Sequence, residues 1–136
     1  MRVELLPLDS VPDERLAYAV VGARHDGKWI FVRHRDRSTW EMPGGHREPA
    51  EPIEETARRE LYEETGSAAT RLVPVCEYSV LRGSDLSYGR LYHAVVEERG
   101  PLPGFEIVET MVGDTPPGEL TYPEIQPLLM ERLRTV

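Results

Sequence analysis

From Ala17 to Arg35, AYAVVGARHDGKWIFVRHR, two apolar runs flank the dipeptide Asp26-Gly27. A type I′ turn needs positive φ at both central residues, and Asp-Gly meets that demand, so the pattern predicts a β-hairpin. The first arm is almost continuously apolar, as expected of a strand inside a sheet, whereas the second ends in alternating charges as it leaves the core. A Pro- and Gly-rich loop follows, DRSTWEMPGGHREPAEP. Ile53, Ala57 and Leu61 then recur every four residues, the spacing of an apolar stripe on a helix. The helix PIEETARRELYEETG has Pro52 suited to its first position, Glu54 and Glu55 near the positive end of its dipole, and Gly66 as a left-handed stop. TRLVPVCEYSVLRG and YGRLYHAVVEE predict two strands, the first bent by Pro74. Phe105–Gly113, FEIVETMVG, predicts another. A C-terminal helix is expected from Pro123, with Ile125, Leu128, Leu129 and Leu133 facing inward and Pro127 making its first turn irregular. Strands on both sides of a central helix, with a second helix at the end, predict a mixed α/β sandwich. With no repeat and no linker, residues 1–136 are expected to form one domain.

Composition narrows the function. The net charge is −8, from 24 acidic and 16 basic residues. A sequence-independent grip on a nucleic acid polymer needs a basic footprint, which this balance argues against. A small anionic substrate remains compatible if cations from outside offset the charge locally. No apolar run is long enough to span a bilayer, and the N-terminal MRVELLPLDSVPDE lacks the layout of a secretory signal. Cys76 is the only cysteine, which excludes an internal disulfide and a cysteine metal cluster. The expected location is the cytoplasm.

The chemistry concentrates in the central helix. Each helical residue advances about 100°, so Glu60, Glu63 and Glu64 share one face. Like charges at these spacings destabilise a helix. Taken alone, an acidic run reads as a solvated face. A set of three carboxylates is also what a hard divalent cation such as Mg²⁺ or Mn²⁺ prefers. Two neighbours favour the second reading. Arg58 and Arg59 offer forks for a carboxylate or phosphate, and Gly44-Gly45 lets backbone approach a ligand closely.

These residues carry a resemblance. Gly45, HREPA, Glu51, PIEETAR and then Arg59-Glu60-Leu61-Tyr62-Glu63-Glu64-Thr65-Gly66 reproduce the 23-residue box of the Nudix family at every charged and glycine position. Ser67 departs from the aliphatic residue usual there, and the preceding TWEMPGG resembles the family's lead-in. The resemblance implies a Nudix-type α/β/α sandwich with a mixed sheet and a loop-helix-loop catalytic box. It implies Glu60, Glu63 and Glu64 as ligands of Mg²⁺, with Mn²⁺ a possible substitute and the Gly45 carbonyl a further ligand. Arg59 would hold the glutamate cluster by pairing with Glu51, and Gly44, Gly45, Arg59 and Trp40 would meet substrate. Trp40 has the blander alternative of anchoring the loop.

Relatives often add a carboxylate from outside the box. Among Glu97, Glu98, Glu106, Glu109, Asp114 and Glu119, the segment FEIVETMV favours Glu106, then Glu109. Tyr88, Tyr92 and Tyr122 are candidates for stacking on a base or for core edges. His34, His46 and His93 have no partner at ligand spacing, so none is expected to be a base, and Cys76 is expected to be buried. The implied activity is hydrolysis of a (deoxy)nucleoside triphosphate, including oxidised guanine nucleotides, to monophosphate and pyrophosphate. ADP-ribose or nucleotide-sugar hydrolysis is the enzymatic alternative, and a nucleotide-binding regulatory module the non-enzymatic one. The partner is a small nucleotide rather than a polymer or membrane, and the chain is expected to be a monomer or homodimer.

Overall fold

The computed structural model describes the backbone of residues 1–136 and every side chain except that of Val108. A seven-stranded mixed sheet lies between two helices. The elements in order are β1 (Arg2–Leu6), a single 3₁₀ turn (Asp13–Arg15), β2 (Leu16–His25), β3 (Lys28–His34), β4 (Gly44–His46), α1 (Ile53–Thr65), β5 (Arg71–Arg82), β6 (Asp85–Val95), β7 (Ile107–Gly113) and α2 (Gln126–Leu133). The strand order is β1-β5-β6-β2-β3-β7, with β4 pairing β2 off this path.

β2 organises the molecule. Its alternate residues Ala19, Val21 and Ala23 join the core under α1, whereas Val20 joins the core under α2. Both faces are therefore covered, which explains the unbroken apolar run. Gly22 also faces α2, where a Cβ would collide with Leu133. β2 pairs β6 in parallel along its length. On its other side it pairs β3 only beside the turn, at Arg24↔Trp29 and His25↔Lys28. The turn has φ 51° at Asp26 and 79° at Gly27, as the Asp-Gly signal required. Beyond it the two strands part, and β4 takes up the edge of β2 at Val20↔Gly44, Ala19↔Gly45 and Tyr18↔His46.

α1 follows its sequence signals closely. Pro52 is the N-cap, Gly66 closes the helix at φ 71°, and Ile53, Ala57 and Leu61 are buried against the sheet. β5 changes register between Pro74 and Cys76, the bend expected of that proline. Cys76 is buried.

β1, β4 and α2 differ from expectation. β1 forms an edge strand against β5, and β4 a short strand inside the segment that reads as loop. α2 begins at Gln126 rather than Pro123, so Pro127 falls in the first turn, where its missing N–H costs no helical bond. Leu128 is exposed on α2, and Met130 is buried in its place. Ile125, Leu129 and Leu133 are buried as expected.

This distinction is testable. Leu129 is 0 % exposed and Leu128 42 %, so Leu129→Ala should cost about 2–5 kcal/mol in urea unfolding, whereas Leu128→Ala should stay within about 0.5 kcal/mol of wild type.

Candidate active site

The parting of β2 and β3 lets β4 deliver Gly44 and Gly45 beneath the last turns of α1. A Cβ at Gly45 would lie 2.6 Å from the carboxyl carbon of Glu60, so a larger residue here would push that carboxylate aside. The Gly44 N–H donates to Glu64 Oε1 at 2.9 Å. Strand and helix are thus joined through the acidic face.

Arg59 is the hub of that face. Its Nε donates to Glu51 Oε2 at 2.7 Å and its Nη2 to Glu51 Oε1 at 3.0 Å, a forked pair. Nη2 also donates to the His46 carbonyl at 3.0 Å, and Nη1 reaches Glu60 Oε1 at 2.8 Å and Glu63 Oε1 at 3.5 Å. Hydrogen bonds from Arg59, aided by the Thr56 hydroxyl, hold the Glu51 carboxyl down at about 2. Arg58, by contrast, pairs with Glu54 on the exposed side.

The remaining charge is poorly compensated. Burial first, and then the neighbouring Glu64, push the Glu60 carboxyl up to about 7. Glu64 is raised by its own burial against the opposing pull of His34 and Gly44. Among the described residues no three His, Cys, Asp or Glu side chains form a ready-made metal cage. Glu60 and Glu63 turn towards Arg59 instead, while Glu64 turns towards His34. The donor set still suits a hard divalent cation: it is all oxygen, half-buried and in excess of its counter-charges.

His34 contradicts the sequence reading that it has no partner. Its Nε2 lies 3.1 Å from Glu41 Oε1 and 3.3 Å from Glu64 Oε2, and its Nδ1 3.5 Å from Glu106 Oε2. Nε2 is buried between the two carboxylates and aligned for an ideal hydrogen bond with neither. Contacts with Glu41 and then Glu64 outweigh burial and raise the imidazole to about 10. Glu41 is lowered despite its burial, through His34 and Thr121. Sequence spacing held no signal for this cluster, because 30 residues of chain separate its two ends, His34 and Glu64.

Among the outside carboxylates, Glu106 comes to the cluster through His34, whereas Glu109 pairs with Arg33 and Asp114 lies near Lys28. A cleft of about 220 Å³ opens beside Gly44 and Gly45, walled by Tyr18, Tyr78, Tyr122 and Met42, with Arg82 and Gln126 as polar groups. Of the tyrosines singled out in the sequence only Tyr122 lines it. Tyr92 is buried under α1, and Tyr88 carries Arg15 over its ring at 4.9 Å. Tyr18 and Tyr78 sit on the same sheet face as Val20 and Val80, and strand alternation would have identified them once that face was known. His46 packs against Tyr18 at 4.5 Å, and His93 against Trp29 at 5.8 Å. Trp40 is buried outside the cleft, bridged to Leu120, and anchors the loop before the box.

A sheet between two helices, with this acidic face held against a glycine strand, defines a class of hydrolase, and the NUDIX domain model matches residues 13–120. The chain belongs to the Nudix family and is a pyrophosphohydrolase acting on phosphoric anhydrides. It is 30% identical over 121 residues, 82% of this chain and 76% of the relative, to the putative 8-oxo-dGTP diphosphatase YtkD of Bacillus subtilis. It is 34% identical over 103 residues to an ADP-ribose pyrophosphatase of the same species, covering 70% of this chain and 56% of that one. The crystal structure of a mutant of the pyrophosphohydrolase BsRppH, also from Bacillus subtilis, superposes with a TM-score of 0.83 at 26% identity, covering 98% and 90% of the two chains. Nudix enzymes generally use divalent metal ions. No helix among the described residues is long and apolar enough to cross a membrane.

The Arg59–Glu51 pair has a pH signature. Glu51 titrates at about 2 when folded against an ordinary 4.5, so the folded state holds fewer protons between these values. The stability this adds is complete above about pH 4.5 and is lost as the pH falls towards 2. Glu51→Gln should therefore lower the melting temperature at pH 7, with the gap from wild type closing progressively below pH 4.5. An equal deficit at every pH would show that the ion pair is not its source.

Proposed function

We propose that the protein hydrolyses a (deoxy)nucleoside triphosphate, including oxidised guanine nucleotides, to a monophosphate and pyrophosphate, using Mg²⁺ with Mn²⁺ as substitute. The observation that carries this reading is the sharing of β4. The Gly44–Gly45 strand forms one side of the aromatic cleft and the floor of the acidic face. A nucleoside seated between Tyr18 and Tyr122 would place its phosphates over Glu60, Glu63 and Glu64. A cleft of about 220 Å³ suits a single base better than the two ends of a linked dinucleotide. The relative named as a putative 8-oxo-dGTP diphosphatase supports the same direction.

Glu60, Glu63 and Glu64, with the Gly45 carbonyl, are the groups we assign to hold the ion. The bound ion would offset phosphate charge and favour deprotonation of water. Arg59 keeps Glu60 and Glu63 oriented through its anchor on Glu51, and its guanidinium offers donors to a phosphate oxygen. We assign Glu106 to receive the proton of the attacking water, which adds to phosphorus as the α–β anhydride bond breaks and pyrophosphate departs. We assign Gly44 and Gly45 to the phosphate chain because their strand lies between the cleft and the acidic face.

Assays with Mg²⁺ and chromatographic resolution of products should show pyrophosphate released from a triphosphate. Two monophosphates released from ADP-ribose, with triphosphates untouched, would favour the ADP-ribose pyrophosphatase reading instead. Activity on neither would leave a binding module. Chelation by EDTA should abolish turnover. Glu64→Gln should lower it by more than about a hundred-fold, the upper end of what loss of a mere supporting partner causes, with the circular dichroism spectrum unchanged.

A further inference from the structure

His34 is the part of the acidic face that the box motif does not account for. Glu64 is gripped through both oxygens, Oε1 by the Gly44 N–H at 2.9 Å and Oε2 by His34 Nε2 at 3.3 Å. The two grips come from β4 and the end of β3, so the carboxylate cannot turn about its last torsion without leaving one of them. His34 is itself held from the far side by Glu41 Oε1 at 3.1 Å. Glu41 is 5 % exposed and its other oxygen accepts from Arg37 Nη1 at 3.1 Å. The Arg37 guanidinium lies 6.0 Å from the ring centre of Tyr122. A continuous chain, Tyr122–Arg37–Glu41–His34–Glu64, thus runs from the wall of the cleft to the acidic face, and Glu41 belongs to both.

We propose that His34 and Glu41 are positioning residues of this hydrolase: His34 holds the Glu64 carboxylate in the rotamer that serves the ion, and Glu41 holds His34 from the wall of the nucleoside cleft. The inference rests on the reading of Glu64 as an ion ligand. A ligand carboxylate that is already oriented loses less freedom on binding, and removal of such a supporting partner commonly costs about 10- to 100-fold in metal affinity or activity. Without the imidazole, Glu41 and Glu64 would be two buried acids facing each other across the space it leaves. Glu64 would then escape by rotating towards solvent, away from Glu60. Because His34 does not line the cleft, its loss should act on turnover; Glu41 lines it, so its loss should act on turnover and on substrate binding.

The test starts with Mn²⁺ alone, titrated into the substrate-free protein and followed by the electron paramagnetic resonance signal of the free ion. His34→Ala should weaken Mn²⁺ binding by about 10- to 100-fold. With dGTP as probe, kcat should fall by a similar factor while KM changes by less than about three-fold. His34→Gln, which keeps a donor, should recover part of both losses and provides the comparison if the alanine variant folds poorly. Glu41→Gln should lower kcat and raise KM. The double variant His34→Ala/Glu41→Gln should be no worse in kcat than His34→Ala, because both act through one carboxylate. Wild-type Mn²⁺ affinity and kcat in His34→Ala, with only the melting temperature lowered, would overturn the proposal and leave a structural ion bridge. Additive losses in the double variant would overturn the shared route. Glu64→Gln separates the two levels. If it loses Mn²⁺ while His34→Ala does not, only the positioning role falls; if it keeps Mn²⁺ and turnover, the ligand reading of Glu64 falls with it.

Discussion

Crowding of like charge on one face of α1 is the constraint around which the rest of the structure is arranged. Glu60, Glu63 and Glu64 stand about one turn apart on one face; burial and then Glu64 push the Glu60 carboxyl up, and burial raises Glu64. The fold answers with counter-charges from opposite sides. Arg59, anchored on Glu51, faces Glu60 and Glu63 from within the helix, and His34 faces Glu64 from the sheet. Neither neutralises the cluster. In a protein with eight surplus negative charges, this face therefore stays acidic.

The sheet supplies the geometry for this arrangement by breaking a regular hairpin. Had β2 and β3 stayed paired along their lengths, no edge would remain for Gly44–His46. Their early divergence opens that edge, brings two glycines against the helix, and leaves the β3 terminus free to carry His34 under Glu64. The cleft on the other side of β4 is a product of the same divergence. The aromatic cleft and the acidic face are therefore two sides of one three-residue strand.

Local signals were legible in the sequence, and long-range ones were not. The Asp-Gly turn, the four-residue stripe of α1, its Gly66 stop and the box spacing each depend on residues close in the chain, and each matches the structure. β1 was not legible because five residues of an edge strand carry too little alternation, and β4 because Gly-Gly has no strand propensity of its own; its pairing is dictated by β2. α2 begins later than the start read at Pro123, and Met130 rather than Leu128 completes its buried face. The Glu41–His34–Glu64 cluster joins three separate segments, and no periodicity within any one of them announces the others.

The lone thiol has a practical consequence. Cys76 lies buried in β5, on the sheet face covered by α2 and remote from the acidic cluster in the chain, and its burial pushes the thiol up towards an unreactive form. Mild oxidants should find little to attack in the folded protein. A single cysteine introduced at an exposed site such as Leu128 would then take a fluorophore or spin label selectively, with no need to remove the native one. The native thiol would in turn become a reporter of unfolding, since it reacts only when β5 and α2 come apart.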